Sequence, residues 1–236
     1  MIAAIITAAG KGTRLKSNIS KQFMNIYGKP ILAHSINVFQ KSSKIQEIYV
    51  VVPKEYMDFC RVSIIEKYSF TKVRELVCGG NTRQESVFNA LQKIPSNCRI
   101  VSIHDGVRPL VTTSEINMLI NSLARLNKKD PQLKGIIMAA PAYETVKKIS
   151  ENNFIDATIS RNQVCFAQTP QTFFFDYIFE AHKKAIKDHF TGTDDAGLVE
   201  RLGGKVKVVL GRHENIKITT PLDLFLAELI LSRNNK

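Results

Sequence analysis

Short runs of Ile, Val and Ala alternate along the chain with segments whose apolar residues recur at helical spacing. Six runs are continuous enough to be strands covered on both faces, as in a parallel sheet. They lie at Ile2–Thr7, Ile48–Val52, Val73–Val77, Ile100–His104, Ile136–Ala140 and Val206–Leu210. This alternation predicts an α/β fold with a doubly wound, mostly parallel, Rossmann-like sheet, in which ligands bind at the carboxyl ends of the strands.

Capping residues mark the predicted helices between these strands. Pro30 stands where a first-turn proline belongs. Thr112 and Glu115 have the spacing of a capping box. Thr193 is expected to cap a helix that Gly203 ends.

The last helix is predicted to begin at Thr220-Pro221, with Asp223 in its first turn. Its apolar face is expected to consist of Leu222, Phe225, Leu226 and Leu229.

One segment, residues 141–163, breaks the alternation of strand and helix. Its residues alternate around Thr145–Lys147 and Ile155–Ile159, with a turn predicted at Glu151–Asn153. An isolated hairpin is marginally stable in water, so this arm is expected to rest on another surface. A second copy of the chain is the simplest candidate, which predicts a homodimer formed through the arm.

The composition is that of a globular protein: of 236 residues, 44% are hydrophobic and 23% charged. The length suits one sizeable domain covering residues 1–236. No apolar run is long enough to span a membrane, and the start of the chain does not have the pattern of a signal peptide. The four cysteines are scattered without a CxxC pair, which argues against structural zinc and for buried thiols in a reducing cytoplasm.

Basic residues outnumber acidic ones, 33 to 21, giving a formal charge of +12. This excess favours an anionic partner, whether a nucleic acid, a membrane surface or a phosphorylated metabolite. The lysines are spread along the chain instead of forming a tail, which weakens the nucleic-acid alternative.

The first predicted strand is followed by a loop of small residues, Ala8–Arg14, with Lys21 shortly after it. Small residues let backbone N–H groups approach phosphate oxygens, and Arg14 and Lys21 add two cations. This combination suits a triphosphate, which carries about four negative charges. The spacing fits neither the Walker loop nor the dinucleotide fingerprint, whose third glycine would occupy the position of Leu15.

Six segments in order carry a more specific resemblance. They read AAGKGTRL with SKQF, GGNTRQESV, HDGVRPL, QTPQTF, TDDAGLVE and GRHENIKITTPLDL. Together they resemble the 2-C-methyl-D-erythritol 4-phosphate cytidylyltransferase family, of nucleotidyltransferase fold, along nearly the whole chain. The resemblance implies transfer of CMP from CTP to that polyol phosphate in isoprenoid precursor biosynthesis, with release of pyrophosphate.

The resemblance also implies roles for individual residues around CTP. Arg14 and Lys21 would be catalytic, stabilising charge at the α-phosphorus. Arg83 is expected to brace its loop instead of touching the ligand. The full set implied to bind CTP is Ala8, Ala9, Gly10, Gly12, Thr13, Arg14, Lys21, Gly80, Asn81, Ser86 and Asp105.

The acceptor phosphate is implied to lie between two subunits. Thr145 and Arg161 of the arm would reach the partner's site. The home subunit would contribute Asp105, Arg108, Thr169, Thr193 and Lys217. For Arg108 two roles stay open, holding phosphate or clamping the loop. His104 is not expected to be a general base, because a phosphate nucleophile is already ionised near neutral pH.

The sequence shows no paired carboxylates spaced for a two-metal site, so Mg²⁺ or another divalent cation is expected on the phosphates of CTP and not in a protein cage. A ribitol 5-phosphate cytidylyltransferase is the nearest alternative, and a basic nucleic-acid-binding module is a remote one. The chain departs from the usual family pattern at Ser20, where proline is common, and at Glu144, where aspartate is. Both departures bear on substrate affinity.

Overall fold

The computed structural model describes residues 1–10 and 20–234, and its centre is one seven-stranded sheet. Its strands are β1 Ile2–Thr7, β4 Glu47–Val52, β5 Val73–Cys78, β6 Ile100–Asp105, β7 Leu133–Pro141, β10 Cys165–Phe174 and β11 Lys205–Leu210. Their order in the sheet is β11-β7-β10-β6-β1-β4-β5, and every pairing is parallel except the two made by β10. All six predicted strands are confirmed.

Strand β10 was not predicted from the sequence. It lies antiparallel between β6 and β7, and polar residues occupy much of its buried length, including Gln168, Thr169, Gln171 and Thr172. Their hydrogen-bonding groups are used inside the protein; the Thr172 hydroxyl, for example, lies 3.0 Å from that of Ser102 on β6. Because a buried strand is normally recognised by its apolar run, this polar strand gives a weak sequence signal.

Helices cover both faces of the sheet. They are α1 Ile31–Gln40, α2 Met57–Cys60, α3 Arg83–Leu91, α4 Thr113–Asn127, α5 Phe175–Lys187, α6 Asp195–Arg201 and α7 Pro221–Asn234. Alternate residues of β1 point to opposite sides, with Ala4 and Ile6 towards α1 and α4, and Ala3 and Ile5 towards α3, α5 and α6. A π-helical segment, Arg61–Glu66, continues α2, and two short strands, β2 Asn25–Ile26 and β3 Lys29–Pro30, pair before α1.

The predicted caps agree with the structure to within one residue. The Thr112–Glu115 capping box is confirmed. Pro30 is the N-cap of α1 and does not lie in its first turn. Thr193 does not cap α6; Asp194 does, because its carboxylate accepts the Gly197 N–H at 2.9 Å.

The predicted apolar face of α7 is wrong. The residues that pack against the core are Ala227, which is fully buried, and Leu224, Ile230 and Leu231 beside it. The four residues expected to do so are exposed, by 65% at Leu222, 64% at Phe225, 38% at Leu226 and 47% at Leu229. The helix carries two apolar stripes at helical spacing, so its sequence alone does not tell which one meets the core.

The arm of residues 141–163 is a hairpin of β8 Val146–Ile149 and β9 Ile155–Ile159, as predicted. Asn153 in its turn has a φ of +63°, a left-handed conformation that asparagine tolerates well. Much of its surface is exposed and apolar, with Phe154 exposed by 74% and Ile155 by 64%.

The cysteines are only partly as predicted. Cys60 and Cys98 are buried, but Cys78 and Cys165 are exposed, and all four are free thiols. Within residues 1–10 and 20–234, the helices are too short or too polar to cross a membrane.

Candidate active site

A cavity of about 400 Å³ opens at the carboxyl ends of β1, β5 and β6. This is the edge at which doubly wound sheets bind their ligands. Its described lining consists of Thr7, Ala8, Ala9, Gly10, Lys21, Gln22, Gly80, Asn81, Thr82, Arg83, Ser86, Asp105, Val107 and Lys217. The structure therefore brings together most of the residues predicted to surround CTP.

The loop after β1 forms one wall of the cavity. The buried side chain of Gln22 supports this loop, because its Nε2 donates to the carbonyl oxygens of Ala8 at 2.8 Å and Gly10 at 3.4 Å. Lys21 lines the cavity beside it. Three further residues predicted for this loop, Gly12, Thr13 and Arg14, lie outside the described residues.

The loop after β5 forms the facing wall. The hydroxyl of Ser86 accepts the N–H of Gly80 at 3.0 Å, and Glu85 Oε2 accepts that of Asn81 at 2.8 Å. A Cβ atom on Gly79 would lie 2.3 Å from the Cβ of Ala9, so glycine is needed where the two loops touch. Ser86 thus shapes the loop predicted to receive the cytosine and ribose.

Asp105, at the end of β6, is the electrostatic centre of the cavity. Its Oδ1 lies 3.1 Å from Arg83 Nε, and its Oδ2 lies 2.7 Å from Lys217 Nζ and 4.0 Å from Arg108 Nε. Burial alone would raise the pKa of this carboxyl group, but the surrounding cations outweigh burial and hold the pKa well below its usual value. Asp105 is therefore a carboxylate at every physiological pH.

Arg83 braces its loop, as predicted, and does so through two carboxylates. Its Nη1 lies 2.8 Å from Oδ2 of Asp195, which begins α6, while its Nε meets Asp105. Burial disfavours the charge of Arg83, yet the two carboxylates raise the pKa of its guanidinium above the usual value. Arg83 also lines the cavity, so it is close to any ligand there.

Arg108 contacts protein groups. Its Nη1 donates to the carbonyl oxygen of Asn215 at 2.7 Å, and its side chain is only 11% exposed. Burial lowers the pKa of this guanidinium, although Asp105 opposes the effect. Of the two roles left open by the sequence, the observed contacts favour the loop clamp.

His104 and Thr169 form a buried chain of hydrogen bonds that fixes the backbone of Asp105. The Asp105 N–H donates to the Thr169 hydroxyl, and this hydroxyl lies 3.0 Å from His104 Nδ1. His104 Nε2 lies 3.0 Å from the carbonyl oxygen of Arg108 and must be the protonated nitrogen, because a carbonyl only accepts. Burial lowers the pKa of His104 to about 4, so the imidazole is neutral near pH 7.

Several residues predicted to bind the acceptor lie outside the described lining of the cavity. The Thr169 side chain is buried behind Asp105, and Thr193 is exposed just before α6. Thr145 and Arg161 are exposed on the arm, where Arg161 Nη1 donates to the Tyr143 carbonyl oxygen at 3.1 Å. Of the predicted acceptor set, Asp105 and Lys217 alone belong to the described lining of the cavity.

Sequence reasoning missed the support behind the cavity. Gln22 lies within the SKQF segment, yet nothing in that segment marks its side chain as a loop support. Asp195 has a signal in the paired aspartates of TDDAGLVE, whereas His182 lies on α5, a helix that was not predicted. The contact of Asp195 with Arg83, and that of His182 with Asp195, arise only from the tertiary structure.

The two glycine-containing loops and the charged cluster at the edge of a mostly parallel sheet define a nucleotide-binding α/β protein of the nucleotidyltransferase fold. The family model described as "IspD: 2-C-methyl-D-erythritol 4-phosphate cytidylyltransferase" matches residues 2–233. The chain belongs to this family.

Individual relatives align with the chain along nearly their whole length. The protein of that name from Geotalea uraniireducens is 43% identical over 236 residues, covering 99% of this chain and 98% of its own. The one from Clostridioides difficile is 41% identical, covering 100% and 96%. A crystal structure of 4-diphosphocytidyl-2C-methyl-D-erythritol synthase from Anaerococcus prevotii has a TM-score of 0.84 and 34% identity, covering 98% of both chains.

The neutral state of His104 predicts a pH-dependent stability. Since its pKa is about 4 in the folded chain and 6.5 ordinarily, the unfolded chain binds more protons between these values. The contribution of the neutral imidazole to the free energy of unfolding is therefore complete above pH 6.5 and is lost as the pH falls towards 4. We expect the free energy of unfolding of the native protein to fall by about 2 kcal/mol more between pH 7 and pH 5 than that of His104→Gln.

Urea unfolding of both proteins at the two pH values measures this difference. The His104→Gln variant serves as the control for all other titrating groups. Equal losses in the two proteins would contradict the assignment of a neutral, buried imidazole.

Proposed function

We propose that this protein transfers CMP from CTP to 2-C-methyl-D-erythritol 4-phosphate, yielding the CDP-methylerythritol product and pyrophosphate. The observation that carries the proposal is the joining of two glycine-containing loops with Lys21, Lys217 and Asp105 around one cavity, in a chain that belongs to the family from end to end. A cytoplasmic location stays a prediction from the sequence.

The reaction requires an in-line displacement at the α-phosphorus of CTP. An oxygen of the acceptor's phosphate forms a new bond to this phosphorus, and the bond to the bridging oxygen of the β-phosphate breaks. Pyrophosphate leaves with that electron pair. The attacking oxygen is already ionised, so the protein needs no general base, and alignment and charge neutralisation provide the acceleration.

The described lining of the cavity offers groups that suit both needs. Ala8, Ala9 and Gly10 present backbone where a triphosphate would lie, with Lys21 beside them. Lys217 lines the same cavity and is held by Asp105. Two anionic substrates that meet in this cavity would therefore have both lysines near them to offset their charges.

A divalent cation such as Mg²⁺ is expected to enter with CTP as part of the substrate. Among the described residues, no cluster of three or more His, Cys, Asp and Glu side chains is placed to hold a metal ion. Both oxygens of Asp105 already face cations of the protein, so this carboxylate fits poorly as a metal ligand. Binding through the phosphate oxygens of the nucleotide is the arrangement that these residues support.

The arm is proposed to pack on a second copy of the chain and to place Thr145 and Arg161 in that copy's site. An exposed hairpin with Phe154, Ile155 and Ile149 on its surface is unstable without a surface to cover it. Dimerisation would cover these side chains and complete the acceptor site, which holds few of its predicted residues within one chain.

The acceptor assay tests the proposal. We expect pyrophosphate release with CTP and 2-C-methyl-D-erythritol 4-phosphate to exceed that with ribitol 5-phosphate at equal concentration. Faster turnover of ribitol 5-phosphate would transfer the assignment to that alternative. No release with either acceptor, together with salt-sensitive binding to nucleic acid, would favour the remote alternative.

Substitution of either predicted catalytic cation should slow turnover and leave the fold intact. Lys21→Ala or Arg14→Ala is expected to lower kcat by about 10²–10³, the scale for losing one charge-stabilising donor. Steady-state pyrophosphate release measures the change. Lys54→Ala, an exposed lysine outside the described lining of the cavity, is the matched control. Near-native kcat in Lys21→Ala would remove that residue from the mechanism.

A mixing experiment tests the sharing of sites between subunits. Lys21→Ala and Arg161→Ala homodimers should each be nearly inactive. After dissociation and random reassociation, a mixed dimer regains one site with both native residues, so activity should rise to about a quarter of the native value. If Arg161 served its own chain, the mixture would stay inactive.

Sedimentation of Phe154→Asp tests the proposed interface directly, and this variant is expected to be a monomer.

A further inference from the structure

We propose that Asp195 and His182, which lie outside the described lining of the cavity, are positioning residues that direct the Lys217 amine towards the acceptor through Arg83 and Asp105. The inference rests on the proposed function. It concerns a chain of side chains running from α5 through α6 and α3 to the end of β6.

At the buried end of this series of side chains, both carboxylate oxygens of Asp195 have a partner. Asp195 is 1% exposed; its Oδ1 lies 3.2 Å from His182 Nε2 and its Oδ2 lies 2.8 Å from Arg83 Nη1. His182 itself is 0% exposed, and its Nε2 must carry the proton that the carboxylate accepts. Both partners thus hold Asp195 in a single orientation.

Arg83 connects Asp195 to the cavity. Its planar guanidinium presents Nη1 to Asp195 and Nε to Asp105, so the two carboxylates fix its plane from different directions. A lysine could not reproduce this arrangement, because its amine is a single point charge without the fixed fork of a guanidinium.

Asp105 transmits this orientation to Lys217. Since Arg83 occupies Oδ1, the remaining oxygen, Oδ2, faces the Lys217 amine at 2.7 Å. The segment carrying Lys217 is itself fixed beside β6, because the Ile218 N–H donates to the Val107 carbonyl oxygen at 2.9 Å. An ammonium group has three N–H donors, so one contact to Asp105 leaves others to meet an anion in the cavity.

The charge balance explains why the chain must extend to Asp195. Apart from His182, the cluster contains the cations Arg83, Arg108 and Lys217 and the carboxylates Asp105 and Asp195. Three cations and two carboxylates leave one net positive charge for the substrate side. Without the Asp195 carboxylate, Arg83 would turn fully to Asp105 and draw that carboxylate away from Lys217.

A kinetic double-mutant cycle tests the inference in the full-length enzyme. Asp195→Asn is expected to raise the KM for the acceptor by about tenfold or more, since small misplacements of a positioning group cost this much. The KM for CTP should change several-fold less. In a Lys217→Met background, Asp195→Asn should cause no further rise, because its effect passes through the missing amine.

The controls separate positioning from general damage. Asp188→Asn makes the same substitution at the C-cap of α5, outside the described lining of the cavity, where Asp188 pairs with Lys184 of α5 and Arg201 of α6. This variant should keep native kinetics. His182→Leu, which removes the hydrogen bond to Asp195, should raise the acceptor KM more than His182→Gln. If Asp195→Asn does not fold, the cycle is run with Arg83→Lys.

If Asp195→Asn and Lys217→Met raise the acceptor KM additively in an active enzyme, the positioning inference is overturned and the proposed function is not. Equal rises in the KM values for CTP and acceptor would do the same. Absence of turnover in the native protein would instead overturn the proposed function, and this inference with it.

Discussion

The site depends on one buried negative charge, the carboxylate of Asp105. A carboxylate removed from water is costly unless cations and hydrogen bonds compensate it. Here the compensation comes from Arg83 on α3, Lys217 before α7 and, more distantly, Arg108. Arg83 and Lys217 are far from Asp105 in sequence, so the need to neutralise one side chain draws their loops to a common place.

The rest of the cavity is arranged by hydrogen bonds that fix backbone. Gln22 holds the carbonyl groups of the first loop, and Ser86 holds the N–H of Gly80 in the second. Thr169 holds the N–H of Asp105, with a neutral His104 behind it. Such support limits the movement of the loops that line the cavity, and the proposed reaction, which relies on alignment, would benefit from it.

Much of this was predictable from sequence, and the failures have physical causes. The six apolar strands are easy to identify because buried parallel strands are continuously hydrophobic. The arm is identified by its alternating apolar and polar residues and by the turn between them. Strand β10 was missed because its buried positions are polar, and the α7 face was misassigned because both stripes are apolar. Most of the residues that short motifs predicted for the CTP site do line one cavity, whereas the contact of Asp195 with Arg83 depends on packing between distant helices.

The position of β10 also orders the assembly of the sheet. Strands β5, β4, β1 and β6 are neighbours made entirely from the first half of the chain, so they can pair as soon as α1 and α3 are available to cover them. Strand β7 precedes β10 in sequence but reaches β6 only through it. During synthesis, β7 must therefore wait until residues up to Phe174 have emerged, and the edge of β6 stays unpaired for that interval.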